Sequence, residues 1–449
     1  MPIKYSSNFY NRFYTHEYFL LLLFLLRLFP ITADFSYVIL GVYACYGNRN
    51  IIHALFILWL FSMINYEIIP TANYFYISKY FVIFLCFFSI LLRTSLKKLD
   101  HFNLFTIILV IFFLFHSIFI SQIPMISFLK VLNWMIVIIT LSFSFKNLSF
   151  EEFELTKKLL IDTLFKIVLL SFPFLLFSDI GYSRNDFAFH GVFNHPQAFG
   201  LTMAITASLL LEKLFFNEMS KIEFFVKFLL SSSLIYLSMS RTAGLALIFG
   251  LVVFLFLILL NINYKKIVMR AITFKIAILS FLLLAIMILQ FSSTITDFFN
   301  IYLSKQGRIV VENLYNAYEI SRGLLYQPMI DNIIKNPILG IGFGIASDLS
   351  AMKIDYFLGV PVSAAIEKGI LPLAVIEEVG IFGFIIFILW IYLIIKTVLI
   401  KNFYSSIVLF TLLFLNFGEA GLFSPGGFGM LYLLILILTI YNPKKPKNN

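Results

Sequence analysis

Charge is scarce in this sequence. Asp, Glu, Lys and Arg make up 12% of its 449 residues, where a soluble globular protein carries about 25%. That excludes an ordinary soluble domain. With 61% hydrophobic residues and a mean hydropathy of +0.96, the apolar surface needs lipid as its solvent. Cysteine is nearly absent. Cys45 and Cys86 both lie in apolar runs, which excludes a disulfide framework and a cysteine metal site. No small-residue cleavage site follows the first apolar run, so the first helix is expected to serve as the signal. No repeat of about 20–50 residues recurs. No pair of matching Gly/Pro-broken helices marks two inverted halves, as transporters often show.

What is present is a succession of apolar stretches. A spanning helix needs about 20 predominantly apolar residues. Candidates lie at 16–30, 33–46, 51–68, 75–93, 103–121, 126–145, 157–178, 197–216, 222–238, 241–262, 271–292, 372–398, 403–418 and 426–441. The first two are short and read as one tilted hairpin or a single span. The fold class is therefore an all-α polytopic membrane protein with about 12 to 14 transmembrane helices, a bundle that forms one unit.

Every second connection is basic: Lys4 and Arg12; Arg49; Arg93, Lys97 and Lys98; Lys146, Lys157 and Lys158; Lys213 and Lys221; Lys265, Lys266 and Arg270; Lys396 and Lys401; and Lys444, Lys445 and Lys447 in the tail. The connections between them are poor in lysine. By the positive-inside rule both termini are expected in the cytoplasm, and the long segment 292–371 outside. The net charge of +10 is thus spread over short loops, which excludes a nucleic-acid-binding face. Charges inside the spans, such as Arg27, Lys79, Lys130, Asp162 and Lys166, are few and sit mostly near helix ends.

The segment 292–371 is polar, charged and punctuated by glycine. Helices joined by tight turns do not need it, and long connections are usually functional. The stretch from Arg308 to Ile334 has helical apolar spacing and should end at Pro337, giving a mostly helical outer loop. Four constellations surround it. Gly191 to Gly200 places Asn194, His195, Pro196 and Gln197 where an outer loop enters a helix. The plain reading is a capped helix start; the functional one is a polar cluster whose free N–H groups favour anions. Ser240-Arg241-Thr242 puts an arginine at the outer membrane face, as a snorkelling side chain or a functional charge. Arg308, Arg322 and Pro337-Ile-Leu-Gly340-Ile-Gly342-Phe-Gly344 lie in the loop. The glycines follow no strand, so a dinucleotide site is excluded. Glu367-Lys368-Gly369 and Glu377-Glu378-Val-Gly380-Ile-Phe-Gly383 lead into the next helix. Carboxylates in a first turn suit the helix dipole, but entering a membrane they need a polar cavity.

In this order the motifs resemble the O-antigen ligase/polymerase superfamily of bacterial membrane glycosyltransferases. The resemblance covers roughly residues 190–385: G-x-F-x-H-P-Q-x-x-G at Gly191–Gly200, S-R-T at Ser240–Thr242, an arginine and P-x-x-G-x-G-x-G at Pro337–Gly344 in one large outer loop, and E-x-G-x-x-G at Glu378–Gly383. It divides the chain into N-terminal transmembrane helices, 1–190, and the motif-bearing region 191–449, which includes the loop 292–371. Ligase members usually carry a histidine about ten residues before the E-x-G. Here Glu367-Lys368-Gly369 stands there, which favours the polymerase branch.

The resemblance implies a glycan donor on undecaprenyl diphosphate at the outer leaflet of the plasma membrane. An acceptor sugar hydroxyl attacks its anomeric carbon and the diphosphate leaves. Arg241 and Arg322 are expected to hold the departing charge, with Arg308 in reserve, because guanidinium pairs with phosphate oxygens and stays charged. Glu367, Glu378 and His195 are the candidates for the proton acceptor. Lys368 takes the place of the histidine as a hydroxyl or phosphate contact. Asn194, Gln197, Gly340, Gly342 and Tyr326 are expected to line the substrate site. The outer connections hold no Asp-x-Asp, and neither a metal nor a cofactor is expected. A chain-length regulator and a flippase are candidate partners. The alternatives are a ligase that transfers the finished chain to an acceptor, and a transporter of lipid-linked sugars.

Overall fold

The computed structural model describes residues 18–442, apart from 71, 73, 95–98, 183–187, 261–313, 351, 353, 358–359 and 365–367; side chains at 75–76, 314–324, 357, 360 and 362–364 are also outside the description. The described helices are α1 (Tyr18–Arg27), α2 (Pro30–Ala44), α3 (Asn48–Met63), α4 (Phe75–Arg93), α5 (His101–Phe119), α6 (Pro124–Lys146), α7 (Phe150–Ser171), a single turn α8 (Ser178–Gly181), α9 (Pro196–Phe215), α10 (Lys221–Leu237) and α11 (Arg241–Leu260). They continue as α12 (Leu314–Lys335), α13 (Leu371–Lys401), α14 (Ser406–Leu415) and α15 (Gly429–Tyr441). Each expected span coincides with one of these helices except 271–292, which lies outside the described residues.

The chain is an all-α polytopic membrane protein. Five described helices, α5, α6, α9, α11 and α13, are each long and apolar enough to cross a membrane, and α1, α2, α14 and α15 are shorter apolar helices. Outward helix faces are bare hydrocarbon: Phe84, Phe88 and Leu92 on α4, Ile111 and Phe115 on α5, and Ile385, Ile388 and Leu389 on α13 are exposed. Apolar surface of that extent belongs in lipid. The buried core is continuous from Leu23 to Ile440 and crosses the 190/191 boundary.

Helix starts follow local chemistry. Ser149 caps α7 by accepting the Glu152 N–H while the Glu152 carboxylate accepts the Ser149 N–H, a reciprocal capping box. Asp100 and Ser220 cap α5 and α10 in the simpler way. Proline stands in the first turn of α2, α6, α9 and α13, where its missing N–H costs nothing. The connection before α13 is helical over α12, which ends at Lys335, ahead of Pro337 as expected. One feature escaped the sequence reading: an antiparallel hairpin of β1 (Ile354–Phe357) and β2 (Val360–Ala364), which lies against α6.

The two ends of the bundle are built differently. At one end Glu212, nearly fully buried, receives three donors on one oxygen: Lys157 Nζ at 2.9 Å, Ser405 Oγ at 2.7 Å and Asn442 Nδ2 at 3.0 Å. Nearby helix ends are joined by Tyr441, which donates to Asp100 at 2.8 Å and accepts from Asn103 at 2.9 Å. This end is a closed clamp on α7, α9, α14 and α15. Glu212→Gln keeps the shape but loses the charge opposite Lys157. It is expected to cost roughly 1.5–3 kcal/mol, read as a lower unfolding temperature in detergent.

Candidate functional site

The opposite end gathers all the described motifs. It is made from the C-terminal ends of α3, α5, α10 and α14 and the N-terminal ends of α4, α6, α9, α11 and α13. Small residues let these pieces touch. A Cβ on Gly200 would lie 2.4 Å from Ser240 Cβ and 2.5 Å from Ser238 Oγ, so the α9 start is in direct contact with the turn before Arg241. Met239 holds that turn at φ 52, unusual for a side chain of its size. A Cβ on Gly418 would lie 2.2 Å from Thr242 Cγ2, bringing the α14–α15 connection against the same turn. That connection in turn donates from the Ala420 N–H to the Lys368 carbonyl at 3.1 Å.

The loop Pro337–Gly344 and the start of α13 form one unit. Gly380, at φ 66 and ψ −176, interrupts α13. The break exposes backbone groups that the loop satisfies: Ile341 N–H donates to the Glu377 carbonyl at 3.0 Å, Gly342 N–H to that of Glu378 at 2.9 Å, and Ile381 N–H to that of Pro337 at 2.9 Å. On its other side the loop is held by α5, α6 and their turn. His116 Nε2 donates to the Leu339 carbonyl at 2.5 Å, the Gln122 N–H to Ile341 at 3.1 Å, Ser127 Oγ to Phe343 at 2.6 Å, and Lys130 Nζ to Gly344 at 2.8 Å. Phe343 points down into the bundle, where its ring lies 4.6 Å from Phe113 and 5.6 Å from Phe423 between centroids.

Behind the loop lies a buried charge cluster. Lys368 Nζ is 2.7 Å from Glu377 Oε2 and 2.9 Å from Glu378 Oε1. Glu377, fully buried, also accepts from Asn332 Nδ2 at 2.8 Å and Ser347 Oγ at 3.0 Å. Glu378 accepts the Gly344 N–H at 2.7 Å. Both carboxylates are thus engaged at both oxygens. These contacts give the two carboxylates their polar partners, and they fix α12, the loop and α13 together.

The remaining expected residues fall as follows. His195 caps α9: its Nδ1 accepts the Gln197 N–H at 3.1 Å. In the neutral ring that leaves the proton on Nε2, the donor form. Gln197 Nε2 donates to Glu419. Asn194 pins the segment to α3, donating from Nδ2 to the Ser62 carbonyl at 3.1 Å and from its N–H to that of Met63 at 2.8 Å. Gly340 sits on the Glu377–Glu378 backbone, and Gly342 on Ser121. Tyr326 is buried with Met329 and Ala374, so its ring packs on protein. Arg241 begins α11 at this end. Arg322 lies on α12 with its side chain outside the description, and Arg308 and Glu367 lie outside the described residues.

The sequence reading passed over Glu419, Asn332 and His116 and gave Lys130 no role. The signal was available for three of them: a lone ionisable group in an apolar run is a functional hypothesis by default. Asn332 carried none, because its partners are remote in sequence.

Gly340→Ala tests the contact between loop and helix. Its φ is 70 and the new Cβ would lie 2.5 Å from the Glu378 carbonyl oxygen. The expected result is a loss of about 1–3 kcal/mol, again measured by thermal unfolding.

Among curated proteins none matches the chain. A family model described as O-Antigen ligase matches residues 226–388. The matched segment contains Arg241, Arg322, the Pro337–Gly344 loop, Lys368 and Glu378; His195, Gln197, Glu419, His116 and Lys130 reach the same end from outside it. The family match together with the membrane bundle supports an O-antigen ligase/polymerase-type membrane enzyme that transfers glycan, and over residues 226–388 the chain is similar to the O-antigen ligase family.

Proposed function

We propose that this protein polymerises polyprenyl-diphosphate-linked oligosaccharide repeat units into a surface polysaccharide at the outer face of the plasma membrane. The observation that carries the reading is the convergence on one end of the bundle of Arg241, the His195–Gln197 helix start and the Lys368–Glu377–Glu378 cluster. An arginine and a helix N-terminus favour an anionic head group, and apolar helix faces beside them suit its lipid tail.

In this reading the acceptor hydroxyl oxygen bonds to the donor's anomeric carbon as the bond to diphosphate breaks. Arg241, with Arg322 from the outer loop, takes up the charge on the leaving oxygen. His195, held in its Nε2–H form, donates to a phosphate or sugar oxygen. A carboxylate accepts the hydroxyl proton. Glu367 and Glu378 are the candidates within the matched segment, and Glu378 would first have to loosen from Lys368. Cationic side chains supply the neutralisation that other transferases take from a metal. Both termini are cytoplasmic in this orientation, and a flippase and a chain-length regulator are the partners it calls for. The family's own description favours a second reading, a ligase that moves the finished chain to a lipid or protein acceptor.

A size-resolved glycan profile separates them. Cells lacking the protein, and cells carrying Arg241→Ala or Arg322→Ala, should keep single repeat units on the acceptor and lose long chains by more than about tenfold. Long chains accumulating on the polyprenyl carrier would instead make it a ligase. An unchanged profile would remove the transferase reading in favour of transport.

A further inference from the structure

Lys79 has no part in the site described above, yet it points into the bundle. On α4 it shares a face with Val82, Ile83, Cys86 and Ile90, all buried, while Ile77, Phe81, Phe84 and Phe88 on the other face are exposed. The spacing i, i+3, i+4, i+7, i+11 puts the lysine at the centre of the inward stripe. An ionisable side chain so placed is costly unless it meets an opposite charge or a polar space. Among the described residues it has no hydrogen bond or ion pair. Asp34 on the neighbouring α2 is taken by Ser78 Oγ at 3.1 Å and the Tyr74 N–H at 3.3 Å.

The ammonium instead faces bare backbone. A Cβ on Gly426 would meet Lys79 Nζ at 3.7 Å and no other described atom within 4 Å. A Cβ on Gly427, which has φ +56, would meet Met63 Cε alone, at 3.5 Å. Two glycines opposite a cation that has no partner among the described residues allow a ligand to approach the main chain closely. They also lie on the connection that carries Glu419. One end of it is tied through Gln197 to the α9 start beside Arg241, and the other faces Lys79.

We propose that Lys79 and the Gly426–Gly427 backbone form a second anion site, which takes the diphosphate of the lipid-linked acceptor while Arg241 serves that of the donor. The inference rests on the polymerase reading, in which two lipid diphosphates must be held at once.

Detergent-solubilised full-length protein titrated with farnesyl diphosphate tests it. Wild type should bind two equivalents. Lys79→Met should weaken one of them by roughly tenfold or more, and Arg241→Ala the other; Lys79→Arg should keep both. Equal thermal unfolding of Lys79→Met and wild type excludes misfolding as the cause. Two unchanged equivalents in Lys79→Met overturn this site and leave the Arg241 reading standing. Loss in Lys79→Met with none in Arg241→Ala upholds the site and overturns the donor assignment. Displacement of the Lys79-dependent equivalent by phosphatidylglycerol micelles would make the ligand a bilayer head group and overturn the acceptor assignment.

Discussion

Gly380→Ala is expected to erase long polymer while leaving the protein in the membrane. Residue 380 sits at φ 66 and ψ −176, a backbone region that is essentially closed to residues with a Cβ. The added carbon would lie 2.0 Å from the Ile338 carbonyl oxygen, so the loop cannot stay where it is. The cheapest escape is for α13 to straighten across the break. That releases the Ile341, Gly342 and Ile381 hydrogen bonds and frees the Pro337–Gly344 loop from Glu377 and Glu378. The apolar remainder of α13, from Ile381 to Lys401, still packs and still spans. A shift of about 1 Å in a positioned group can cost about 100-fold in rate, so the polymer ladder should collapse at a near-normal protein level. Gly47→Ala is the control. Its Cβ would meet nothing within 4 Å, and the ladder should be unchanged. A full-length ladder from Gly380→Ala at wild-type protein level would mean that the loop and helix break do not act together.

Lys368→Met should be the most destabilising single change at this end of the bundle. Lys368 and Glu377 are both buried, with side-chain exposures of 4% and 0%, and Glu378 is exposed by 11%. Removing the cation leaves two carboxylates beside each other in a buried site. Breaking a buried ion pair in this way costs about 3–5 kcal/mol. The expected readouts are a large fall in detergent unfolding temperature and little protein in the membrane. A second substitution identifies the cause. Glu377→Gln in the Lys368→Met background removes one of the stranded charges, so the double variant should be more stable than Lys368→Met alone. Purely additive losses would show that the three side chains are not coupled.

These two changes act on the same joint, which was half legible in the sequence. The glycines of P-x-x-G-x-G-x-G and E-x-G stand out by their regular spacing in the sequence. Their meaning does not. Gly340 and Gly380 are facing halves of one contact, and no spacing rule connects residues forty apart. The pair Glu377–Glu378 calls for polar partners, and only the fold supplies the cation. The sequence offers Lys368 as a hydroxyl or phosphate contact, whereas in the fold its ammonium is held by both carboxylates. Tyr326, expected to line the substrate site, is packed on Met329 and Ala374; helical period alone does not say which neighbour covers a face.

The sequence by itself determined that this is a helical membrane protein and where most of its helices run. Apolar runs of bilayer length have one stable conformation in lipid, since every backbone group must be satisfied within the helix. Helix limits follow from residues next to the helix, such as the Ser149–Glu152 box and the prolines of α6, α9 and α13. Those are local facts, and a sequence states them. Only the tertiary structure decided that α5 and α6, spans without a motif, hold the motif loop through His116, Ser127 and Lys130. It alone joined Glu419 to Gln197 and turned Lys79 inward toward Gly426. Such partners lie tens to hundreds of residues apart, and many different packings would satisfy the same apolar pattern. The buried polar contacts at the bundle ends select one of them, because each polar group left without a partner there would cost too much.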